Sequence, residues 1–139
     1  MTRVVIDASV LASAAVAHPN SPSSRLIDAA KAGEVDVVAC ARLLAELQRA
    51  LTGRYFRDRM VADDRLAFEA LLREIAVLLP DPDDPPRLLR DPRDDYIVAL
   101  ARAASVDAIV TGDKDLLDHA GLEPRAITPR EACEHFGLT

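Results

Sequence analysis

No stretch of this sequence approaches the roughly 20 consecutive apolar residues that a membrane-crossing helix requires. Charge is spread along its whole length, so neither a spanning protein nor a disordered one is expected. Cysteine is scarce as well: Cys40 and Cys133 are far apart, and neither belongs to a CxxC or Cys/His pair. That excludes a disulfide framework, a redox motif and a structural zinc site, and makes a reducing cytoplasm the expected setting. Positive charge is in deficit, with 17 Lys and Arg against 23 Asp and Glu and a formal net charge of −6. A nucleic acid would therefore have to meet local positive charge, not a broad attraction. The apolar start from Arg3 to Val16 is interrupted by Asp7 and has no basic segment before it, so it does not read as a signal peptide.

What is present suits one globular domain spanning 1–139. Half of the 139 residues are apolar, and a chain of this size buries roughly two thirds of its unfolded surface. The β-branched run Arg3 to Ile6 ends at Asp7 and is followed by the small, helix-compatible stretch Val10 to Val16. Ser21-Pro22 reads as a helix start running to Gly33, and Val35 to Cys40 as the second strand. Leu43, Leu44, Leu47 and Leu51 then form one helical stripe, with Glu46 about 100° from its centre, at the border of the buried face. A helix beginning at Asp63 or Asp64, with Leu66, Leu71, Leu72 and Ile75 as its apolar side, leads into a third strand at 76–79. The acidic, proline-rich stretch 80–86 reads as a stiff loop. Asp91-Pro92 opens a helix that buries Ile97, Leu100, Ala101 and Ala104, 108–111 is a fourth strand, and Ala126-Ile127 is a brief fifth. Thr128 and Glu131 form a capping box for the last helix, which closes near Gly137. Strands alternate with helices throughout, which predicts a three-layer α/β sandwich whose mostly parallel central sheet has four to five strands and helices on both faces.

In such sheets ligands bind at the carboxyl ends of the strands, where strand order reverses, and Asp7 and Asp113 both fall at carboxyl ends. Each acid has a plain structural role open to it: Asp7 as a helix cap, Asp94 and Asp95 as first-turn acids, Asp113 and Asp115 in a turn, Glu46 on a solvated edge. Together, however, four distant segments deliver carboxylates to one end of the sheet. Such a cluster repels itself unless a cation is bound, and hard oxygen ligands select Mg²⁺ or Mn²⁺. An ion held there can activate water for attack on a phosphodiester.

The blocks Val4-Val5-Ile6-Asp7-Ala8-Ser9-Val10-Leu11, Leu43-Leu44-Ala45-Glu46-Leu47, 90–101 and Val110-Thr111-Gly112-Asp113-Lys114-Asp115-Leu116 resemble, in order and spacing, those of the PIN-domain ribonucleases. More narrowly, they look like the VapC-like toxin components of bacterial toxin–antitoxin pairs. The resemblance covers essentially the whole chain. It implies a metal-dependent endoribonuclease with Asp7, Glu46, Asp95 and Asp113 as metal-binding acids and Asp115 in support. It also implies an RNA substrate, a cognate antitoxin and a homodimer. Asp94 adjoins Asp95; the spacing to 97–101 favours Asp95, leaving Asp94 as a cap, since neighbours on a helix point in different directions. Ser9 stands where the family more often has Asn, so Ser9 and Thr111 are expected to support the acids through their hydroxyls.

Arg49, Arg54, Arg57 and Arg59, beside Tyr55 and Phe56, offer phosphate contacts with a stacking surface, a partner interface or simply a solvated face. His18, His119 and His135 have no nucleophile at triad-like spacing and receive no role. Two other classes remain open: a PIN-like module that only binds RNA or protein, and a Mg²⁺-dependent phosphoryl-transfer or receiver-like domain. Retention of all four acids weighs against the first, and the lack of adjacent acids after the first strand against the second.

Overall fold

The run Val4-Val5-Ile6 is buried on both faces, as the middle strand of a parallel sheet must be. In the computed structural model, which describes residues 1–83 and 85–138, it belongs to β1 (Thr2–Ile6). Asp84, part of the predicted acidic loop, and Thr139 lie outside the described residues. β2 (Val35–Ala39) and β4 (Ala108–Val110) flank β1, and β3 (Val77–Leu78) and β5 (Ala126–Ile127) form the edges. The order is β3-β2-β1-β4-β5 and every pairing is parallel, so the expected architecture holds with the larger strand number.

The chain steps outward from β1 through α1 (Ala8–Val16) and α2 (Pro22–Lys31) to β2. From there it passes through α3 (Ala41–Leu51), α4 (Arg54–Arg57) and α5 (Ala62–Ile75) to β3. It then returns across the sheet to a 3-10 turn (Pro92–Asp94), α6 (Asp95–Ala103) and β4, and continues through α7 (Lys114–Leu117) and β5 to α8 (Pro129–Phe136). Right-handed crossovers on this path put the helices before β3 on one face and α6, which packs on β1 and β4, on the other. Local chemistry sets most boundaries. Ser21 caps α2 with Pro22 in its first turn, and Gly33 at φ +75° turns the chain into β2. Thr128 and Glu131 form the expected capping box, and Gly137 closes α8 in the left-handed region. Cys40, at the N-cap of α3, makes no capping bond; the Asp81 carboxylate accepts from the Arg42 amide at 2.9 Å instead, tying the acidic loop to that helix.

Two elements depart from expectation. β3 is two residues long and not four, because it pairs only with the end of β2. α5 begins at Ala62 and buries Glu69 and Leu72, whereas Leu66, predicted to be core, is 53% exposed. The helix packs against α3, with Phe68, Leu71 and Ile75 half-buried against the core, and Glu69 pairs with Arg65 one turn back at 3.4 Å. Among the described residues no helix is long and apolar enough to cross a membrane.

Candidate active site

Strand order reverses between β1 and β4, and the loops leaving their carboxyl ends diverge to opposite faces, opening a crevice there. A cavity of about 340 Å³ occupies it, lined by Asp7, Ala8, Ser9, Glu46, Ala50, Asp94, Ile97, Asp113 and Leu116. Four carboxylates from four segments line this space, and among the described residues no Lys or Arg lines it with them. The cation that does feel Asp94 and Glu46 is Arg93, and it is committed to Asp91 at 2.9 Å.

Asp7 is both cap and cavity wall. Its Oδ1 accepts from the Val10 amide at 3.0 Å and the Ser9 hydroxyl at 2.9 Å, and its Oδ2 accepts from the Thr111 hydroxyl. Thr111, fully buried at the end of β4, also accepts from the Asp113 amide at 3.0 Å. One hydroxyl thus fixes Asp7 and the backbone of Asp113 relative to each other. Asp113 in turn caps α7 by accepting from the Asp115 amide at 2.9 Å. Ser9 and Thr111 therefore stand where the sequence suggested, while the Asp115 side chain is not among the groups lining the cavity. Thr111→Val, which keeps shape and strand propensity, is expected to lower any metal-dependent activity about tenfold or more. It should also lower the thermal midpoint by several degrees, because two polar groups lose a buried partner. Thr111→Ser, assayed beside it with a thermal melt, should recover most of both.

Asp94 and Asp95 exchange their expected places. Asp95 is 2% exposed and turned away: its Oδ1 accepts from the amides of Leu88 and Leu89, at 3.2 and 2.9 Å. It gathers the end of the incoming loop at the start of α6, where a carboxylate also meets the positive end of the helix. Asp94, the last residue of the 3-10 turn, faces the cavity with Ile97, three residues on and so on the same side. Burial, and the charges of Asp91, Asp113, Glu46 and Asp7, push its carboxyl up to about 6. The i, i+3 relation to Ile97 is the signal that could have selected Asp94.

Tyr96 and Arg42, which sequence reasoning gave no role, also belong here. The buried Tyr96 hydroxyl donates to Glu46 Oε2 at 2.7 Å, and the Arg42 guanidinium lies over the Tyr96 ring at 4.2 Å. Burial and the neighbouring Glu46 push the Tyr96 phenol far above its usual range, so it remains a donor. The arginines Arg49, Arg54, Arg57 and Arg59 are exposed and outside the cavity. Arg59 stacks on Tyr55 at 3.5 Å, and Arg49 adjoins Ala50 at the cavity wall.

The donor set fits a hard divalent cation: its charged groups are carboxylates only, converging on one crevice, and the charges of the others raise the proton affinity of Asp94. Among the described residues no three such groups are gathered closely enough to hold an ion as they stand. An open ring is the arrangement that four unneutralised like charges favour.

A doubly wound α/β domain with an acidic crevice at its switch point is what fold and site define. The chain belongs to the PIN domain family, whose model matches residues 3–115; β5 and α8 lie beyond the match. PIN domains are generally nucleases, typically with divalent metals. Two solved structures share the fold. PAE2754 from Pyrobaculum aerophilum is 16% identical with a TM-score of 0.65, the match covering 98% of this chain and 90% of that one. FitAcB from Neisseria gonorrhoeae is 17% identical with a TM-score of 0.58, covering 91% and 98%. No curated protein matches the chain.

Proposed function

We propose that this single PIN unit, residues 1–139, is a metal-dependent endoribonuclease that hydrolyses RNA phosphodiesters. Asp7, Glu46, Asp94 and Asp113 would hold Mg²⁺ or Mn²⁺. The observation that carries this reading is the ring of four carboxylates around the crevice, with no Lys or Arg among the described residues that line it. When bound, such an ion neutralises the ring, acidifies an attacking water and offsets charge on the leaving oxygen. The chain's own groups do the rest. Ser9, Thr111 and the Val10 amide keep Asp7 aimed by donating to both of its oxygens. Asp113 is held by the first turn of α7, and Ile97 and Leu116 give the cavity an apolar side that limits water.

Substrate phosphates would be met by Arg49, Arg54, Arg57 and Arg59, the local positive charge that a chain of net charge −6 needs. The likeness of the four sequence blocks to toxin components supports the finer reading: the toxin of a toxin–antitoxin pair, working as a homodimer in the cytoplasm and held by a cognate antitoxin.

The test is cleavage of total cellular RNA by purified protein in Mn²⁺ and in Mg²⁺. Cleavage that EDTA abolishes and added Mn²⁺ restores is expected. Cleavage that persists in EDTA overturns the metal-dependent reading. An inert protein that nonetheless binds RNA or a partner without metal favours the binding module.

A further inference from the structure

Tyr96 has no exposed surface, yet it carries a hydroxyl into the interior, where a phenylalanine of the same shape would bury at lower cost. The hydroxyl is aimed. It donates to Glu46 Oε2 at 2.7 Å, joining α6 to α3 across 50 residues of chain. The Arg42 guanidinium lies over the ring, 4.2 Å from its centroid, and Arg42 precedes Glu46 by one helical turn on the same side of α3. Arg42 is itself fixed at both ends, with its Nη2 donating to the Arg93 carbonyl and its amide to Asp81, each at 2.9 Å. The 3-10 turn before α6, the acidic loop, α3 and α6 thus converge on one carboxylate.

That carboxylate hangs on a single contact. Asp7 has three hydrogen bonds fixing it and Asp113 is locked as a cap, both on short side chains. Glu46 reaches the cavity on a longer stem that is costly to order, and Tyr96 supplies its one side-chain hydrogen bond among the described residues.

Resting on the nuclease reading, we propose that Tyr96, braced by Arg42, is a positioning residue. It holds Oε2 of Glu46 so that the other oxygen is presented to the cavity, and in doing so it sets the affinity of the site for a divalent cation. The role is indirect, exerted through Glu46 alone.

The test is calorimetric titration of Mn²⁺ onto wild type, Tyr96→Phe, Glu46→Gln and the double variant, with thermal melts of each. Tyr96→Phe keeps the packing and is expected to bind Mn²⁺ about tenfold more weakly, the usual scale for a group that orients a ligand. In the Glu46→Gln background the same change should add nothing. Undiminished Mn²⁺ affinity in Tyr96→Phe, or an equal loss in both backgrounds, overturns the proposal. Wild type that binds no Mn²⁺ overturns the nuclease reading as well, and so is told apart. If Tyr96→Phe does not fold, Arg42→Met, which removes the brace and leaves the hydroxyl, is expected to weaken Mn²⁺ binding in the same direction. No change there overturns the proposal.

Discussion

Asp94→Asn is expected to abolish RNA cleavage, by at least about a hundredfold, while making the metal-free chain more stable. Both effects have one cause. Asp94 is pressed by Asp91, Asp113, Glu46 and Asp7, so its charge is unfavourable in the folded chain unless a cation is present. Its carboxyl rises from 3.8 to about 6 on folding, so the folded state holds the proton more tightly than the unfolded one. The cost is therefore absent only well below 3.8, where the group is protonated in both states, and it grows as pH rises through the window from about 4 to 6. At pH 7 in EDTA the asparagine variant should gain on the order of 1–2 kcal/mol after allowance for screening, or several degrees in thermal midpoint. That gain should shrink towards pH 4. A melt in EDTA at the two pH values, beside the cleavage assay, checks both halves.

Asp95 should behave in the opposite way, although it is the adjacent residue and the same amino acid. Asp95→Ala strands the Leu88 and Leu89 amides, which have no other partner among the described residues, at a cost of about 2–4 kcal/mol. For a domain of this size that corresponds to a fall of roughly 5–15 °C in thermal midpoint. Asp95→Asn keeps an oxygen able to accept both bonds, so its stability loss should be small and its cleavage within a few-fold of wild type. If Asp95→Asn were as inactive as Asp94→Asn, the placement of the two side chains would be wrong. Thermal melts and initial cleavage rates of the three variants beside wild type separate these cases.

Much of the fold was legible because the signals were redundant. The capping box at Thr128, the Ser21-Pro22 start of α2 and the leucine stripe of α3 each tie a local pattern to one outcome. α5 was misjudged because hydrophobic periodicity says which face is apolar but not how much of it a neighbour covers, and Leu66 is left in solvent. Asp7, Glu46 and Asp113 could be found as cavity acids because each sits one step past a strand or on the border of an apolar stripe. The structure separates Asp94 from Asp95 on a backbone detail: α6 is entered through a 3-10 turn that sets Asp94 on the side of Ile97, and where that turn gives way to the helix is not written in the spacing. Tyr96 was invisible because its partner is 50 residues away and only the meeting of α3 and α6 brings them together.

The account rests on the acidic crevice being a divalent-cation site, and the anomalous scattering of crystals soaked in Mn²⁺ tests that most directly, at a concentration that supports cleavage. The predicted result is an anomalous peak inside the cavity, within coordinating distance of Asp7, Asp94 and Asp113, with Glu46 drawn towards it and Asp95 still bonded to Leu88 and Leu89. A cavity without a peak, or a peak coordinated by Asp95, would contradict it.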